Sequence, residues 1–156
     1  MPIFRFRLAP VLRLREQHRE TQRLAFAAVE EERLRIVDEI QQLEERLAAY
    51  SREMARADGT TLNVVDFQLY GDFVQRLNHT LQIKHDLLRK VEEKREAQRL
   101  ELLEADTDVK SLEQLKDRLA KRHLRKEAAT AQQQADEAGQ QKYLTQQKAE
   151  KEKSEG

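Results

Sequence analysis

The chain is 156 residues long, 37% of it charged and only 5% aromatic, with no Trp, no Cys and four Gly. Rich in Ala, Glu, Lys, Leu, Arg and Gln, it has too little bulk for a compact globular core and no thiols for disulfides or thiolate metal sites, and it reads as long helices or coiled coil. Lys and Arg together number 29, as do Asp and Glu, so bulk charge gives no attraction for nucleic acid and any basic function is local.

No apolar run approaches the roughly 20 residues of a membrane span. A secretory signal core is missing as well, and the expectation is a soluble, intracellular protein.

The chain opens FRFRLAPVLRLRE, Phe4 to Glu16. Such an end suits a targeting peptide, a membrane-surface helix, a nucleic-acid arm, or a tip that plugs into a protein. Arg5, Arg7, Arg13, Arg15, Arg19 and Arg23 face only Glu16 and Glu20, so this end is locally basic. Phe4, Phe6 and Leu8 are apolar residues at a terminus with little to bury them, which favours an interaction surface over a solvated helix.

A first helix is predicted over about 10–57, opening at Pro10, which a first helical turn tolerates. Its apolar residues Ile36, Ile40, Leu43, Leu47, Tyr50 and Met54 alternate four and three apart, a heptad seam. The same register reaches back to Val29 and Phe26, fails at Gln22, Arg19 and Arg15, and recovers at Leu12 and Leu8.

Asp58-Gly59-Thr60-Thr61 is a strong stop signal, since Gly supplies the backbone freedom that a helix C-terminus needs. The turn is predicted over 58–65, with Asn63 or Asp66 as cap of a second helix from about 66. Phe67, Tyr70, Phe73, Val74, Leu77 and Leu81 give that helix an apolar face, continued by Leu88, Val91, Leu102, Val109, Leu112 and Leu119.

A short connection makes the two helices antiparallel neighbours, with facing residue numbers that sum to about 124. Leu47 then faces Leu77, Leu43 faces Leu81, Ile36 faces Leu88, Leu24 faces Leu100 and Leu12 faces Leu112. The predicted fold is an all-α coiled-coil hairpin over 1–125. Residues 126–156 have lost the apolar stripe and form a weakly helical to disordered tail.

Two long helices offer no concave, partly dry site for catalysis, so neither an enzyme nor a small-molecule substrate or cofactor is expected. His18, His79, His85 and His123 show no metal-ligand spacing. Glu30-Glu31-Glu32 and the pair Asp106/Asp108 read as solvated helix faces. One cluster exceeds the coiled-coil background: Tyr50, Phe67, Tyr70 and Phe73 near the turn, either a cap on the seam or an interface hot spot.

The four uses of the opening segment can then be sorted. Removal as a targeting peptide would cut into the seam, a membrane-surface helix needs a wider apolar face, and a nucleic-acid arm needs a longer basic surface. Insertion into a protein partner survives, with Phe4, Phe6, Arg13, Arg15 and Arg19 as the candidate contacts.

The opening F-x-F-x-L-x-x-V-L-x-L-R-E, as in Phe4, Phe6, Leu8, Val11, Leu12, Leu14, Arg15 and Glu16, followed by a hairpin of unequal helices, resembles the flagellar export protein family FliJ. That resemblance implies a central stalk similar to the γ subunit of rotary ATPases, related to the stalks of virulence secretion systems. It also implies that the open end of the hairpin enters the ring of the hexameric export ATPase. A second implied contact, with the membrane-embedded export gate, maps to Leu43 and Tyr50 on the first helix and Phe73 and Leu77 on the second. Here Arg46, Thr80 and Lys84 stand where the family can show further aromatic or histidine residues. The hairpin is expected to be a monomer, and the resemblance implies an association with export chaperones without locating their site. Two other readings stay open from the residues alone: a self-pairing structural scaffold, and a chaperone acting directly on cargo.

Overall fold

The structure, a computed structural model, describes residues 3–56 and 64–156. It contains two helices, α1 (Ala9–Arg56, 48 residues) and α2 (Val64–Ser154, 91 residues). The Asp58-Gly59-Thr60-Thr61 turn and the Asn63 cap lie outside the described residues. Asp66, the other expected cap, lies inside the first turn of α2, where its carboxylate favours the positive end of the helix dipole.

The opening of α1 follows from its hydrogen bonds. Leu12 N–H donates to the Leu8 carbonyl at 2.9 Å, and Ala9 N–H to the Phe6 carbonyl at 3.1 Å. Pro10 stands in the first turn, where a backbone N–H has no intrahelical acceptor to lose.

The chain divides into two compact units: the residues up to Leu14 with Asp108–Gly156, and Arg15–Thr107. In the second, Val29, Ile36 and Ile40 of α1 and Leu81 and Val91 of α2 are buried together, with Leu43, Leu47 and Leu88 packed against them. Ion pairs flank this seam and fix its sense. Glu30 meets Arg95, Glu32 meets Lys94 at 3.6 Å, and Glu39 meets Lys84 at 2.6 Å. Partners descend along α2 as they ascend along α1, so the helices are antiparallel in the register expected from the apolar pattern.

One expected pair is corrected. Leu24 and Leu100 are 59% and 52% exposed and do not form a seam layer. Gln22 and Phe26, four residues apart, lie on the inner face of α1, and Leu24 sits midway between them, about 200° around the helix from each. Gln98 donates to the side chain of Gln22, and the Arg95 guanidinium lies 5.4 Å from the Phe26 ring centroid.

In the first unit, Phe6, Leu12 and Val109 are buried, and Phe4, Ala9, Leu112, Leu115 and Leu119 pack on them. Val109 is fully enclosed at 0% exposure. Leu8, expected in the seam, is 37% exposed, and Phe6 takes the inward place instead. Beyond Glu127 every residue is exposed. The expected loss of the apolar stripe is therefore present, but weak helicity is not: α2 runs on to Ser154. The physical reason is composition, since Ala, Gln, Glu and Lys are good helix formers and no proline interrupts them.

Candidate partner-binding surfaces

In the first unit, residues 3–6 are not helical, and successive side chains point to opposite sides. Phe4 and Phe6 turn inward, while Arg5 and Arg7 are exposed. The Phe6 side chain is buried with Leu12 and Val109, and the Phe4 ring lies against the His123 imidazole with centroids 5.7 Å apart. His123 Nε2 is in turn 3.2 Å from Glu127 Oε1, a distance suited to an ion pair when the imidazole is protonated. The premise that Phe4 and Phe6 have little to bury them does not hold, because the chain itself buries Phe6 and half-buries Phe4. Arg13 is exposed on the same unit.

Arg15 and Arg19 belong to the second unit. Arg15 is exposed, whereas Arg19 is half-buried, its Nη1 3.4 Å from Asp106 Oδ1. With Gln22 against Gln98, this turns the stretch where the apolar seam fails into a polar seam with partners on α2. A buried polar atom without a partner is costly, so such positions are kept only when matched.

About two turns further along lies a denser network. Arg33 donates to Glu30 Oε1 through Nε at 3.0 Å and Nη2 at 2.5 Å, and Arg95 reaches Glu30 Oε2 from across the seam while covering the Phe26 ring. Arg33, and then Arg95, hold the Glu30 carboxyl below the usual carboxylate range. On the exposed faces, Arg23 and Arg99 lower the Glu20 and Glu96 carboxyls in the same way, each through a two-point hydrogen bond.

Toward the Arg56 end of α1, the second unit brings three of the four expected aromatic residues together. The Tyr50 ring stacks on Tyr70 at 5.3 Å and meets Phe73 at 4.4 Å, inclined by 52°. Phe67 is 61% exposed, and among the described residues no ring contact joins it to them. Leu43 is half-buried beside the core cluster and Leu77 is buried at 7% exposure, so these two support the seam as well as any surface above it. Leu43 also lines a shallow 200 Å³ groove with Arg46, Thr80 and Lys84.

Sequence reasoning missed one surface altogether. Residues 116–126, KDRLAKRHLRK, hold six Lys and Arg against a single Asp. The signal was a plain charge run, hidden by the neutral total and by attention to the arginines at the start of the chain.

Among the described residues no helix is long and apolar enough to cross a membrane. Antiparallel helices with mixed polar and apolar seams, and with aromatic and cationic surfaces, define an all-α helical hairpin of the coiled-coil type. The family model described as "Flagellar FliJ protein" matches residues 4–148, nearly the whole chain. The chain belongs to the FliJ family and is a component of the flagellar export system. Comparison with curated proteins and with solved structures returned no match.

Proposed function

We propose that the chain is a soluble, non-enzymatic stalk that binds the hexameric flagellar export ATPase and couples it to the export gate. It would work in the cytoplasm, at the inner face of the membrane at the flagellar base, as a monomer and with export chaperones as further partners. The single observation that carries this reading is the family match over residues 4–148 of an antiparallel helical pair. Cross-helix ion pairs at Glu30, Glu32 and Glu39 oppose sliding of one helix on the other, which suits an element that transmits orientation. Arg13 and Arg15 are exposed and would meet carboxylates inside a ring, and the Tyr50–Phe73 pair offers an aromatic anchor for the gate.

Size-exclusion chromatography of the purified chain with the purified export ATPase tests the reading. Co-elution is expected, and Arg13→Glu with Arg15→Glu is expected to weaken it while leaving helicity unchanged. Separate elution of the wild-type proteins at micromolar concentration would overturn the assignment. The self-pairing scaffold predicts a stable elongated dimer in sedimentation instead.

A further inference from the structure

The cations of the two units are treated differently. In the second unit, arginines repeatedly follow a carboxylate three residues earlier and pair with it: Glu20 with Arg23, Glu30 with Arg33, Asp86 with Arg89, Glu96 with Arg99. On α2 of the first unit, Arg118, Lys121, Arg122 and Arg125 are all exposed, and among the described residues no ion pair engages them. Their spacing of three and four residues puts them on one helical face.

What precedes each of them is the telling difference. Three or four residues before Arg122 and Arg125 stand Arg118, Lys121 and Arg122 themselves, and of the positions before the four cations only Asp117 is acidic. Like charges at that spacing destabilise a helix, whereas Arg23, Arg33, Arg89 and Arg99 each meet a carboxylate at the same spacing. Arg5, Arg7 and Arg13 of the same unit are exposed as well, adding to the positive potential.

We infer that Arg118, Lys121, Arg122 and Arg125 form a docking face for a carboxylate-rich protein surface. The inference rests on the ATPase partnership proposed above and makes this face of α2, not the starting arginines alone, its principal electrostatic contact. Three of the four are arginines, whose planar guanidinium matches a carboxylate at two points, as Arg23 and Arg99 do within the chain. The face itself holds no large apolar side chain to sink into a bilayer, which sets it apart from a membrane-surface helix.

The test titrates the full-length chain against purified export ATPase at about 0.05 M and about 0.3 M salt, with vesicles of phosphatidylglycerol as a second probe. The variant is Arg118→Glu with Arg125→Glu, which sets carboxylates beside Lys121 and Arg122 and so preserves the helix; circular dichroism checks this. Affinity for the ATPase is expected to fall at least about tenfold, with a shallower salt dependence than the wild type. If the wild type binds and the variant binds within about twofold of it, the docking face is wrong while the partnership stands. If the wild type itself fails to bind, both fall. Loss of vesicle binding with unchanged ATPase binding would assign the face to lipid and overturn the proposal.

Discussion

Leu24 and Ile36 look alike in the sequence, two aliphatic residues of the first helix with an apolar counterpart in the expected register. The structure separates them: Ile36 is 5% exposed within the core cluster, and Leu24 is 59% exposed. Truncating a buried Ile to Ala removes its transfer free energy and leaves a cavity, together about 3 kcal/mol within the usual range of about 2 to 5. Leu24→Ala removes atoms that are mostly in water, opens no cavity, and gains slightly in helix propensity, so its cost is about 0.5 kcal/mol or less. Urea unfolding followed by far-ultraviolet circular dichroism measures both, with the denaturant slope as the control for an unchanged unfolded state. The midpoint is expected to drop sharply for Ile36→Ala and barely for Leu24→Ala. Equal losses would mean that the apolar seam continues through Leu24 and that the inward placement of Gln22 and Phe26 is wrong.

Two further outcomes follow from single residues. Gly71 lies in α2 with nothing within 4 Å of where a Cβ would be, so Gly71→Ala is expected to stabilise by about 0.5 to 1 kcal/mol in the same unfolding assay. A loss of stability there would point to a close neighbour at that face. Glu30 has a carboxyl held below its ordinary value of 4.5, first by Arg33 and then by Arg95. A depressed carboxylate stabilises fully above the unfolded value and loses that contribution as pH falls through the depressed one. Glu30→Gln is therefore expected to be less stable than the wild type at neutral pH, with a smaller further loss below pH 4.5. Parallel pH profiles for the two proteins would refute the coupling.

The helices were legible because their signals are local. Pro10 marks the start of α1 to within one residue, and the four-three alternation from Ile36 onward locates the core cluster that the structure contains. The polar seam was visible only as a failure of that pattern. Gln22, Arg19 and Arg15 read as missing seam residues because a one-helix pattern does not show that Gln98 and Asp106 wait opposite. The burial of Phe6 was hidden for a related reason. Its cover comes from Val109, a hundred residues away in sequence, and a short non-helical run has no period that predicts which way a ring turns. The candidate surfaces were half legible: the aromatic contact of Tyr50 with Tyr70 and Phe73 follows from the register, whereas the cationic face of α2 depends on knowing which charges find partners.

The polar seam also bears on how the chain chooses its company. In a parallel, in-register pairing of two copies, every inward residue of α1 meets its own counterpart, so Arg19 would oppose Arg19 and Gln22 would oppose Gln22. Folded back on itself, the chain sets Asp106 against Arg19 and Gln98 against Gln22. Two polar positions that weaken the seam as a hydrophobic contact thereby make self-recognition within one molecule more favourable than recognition between two.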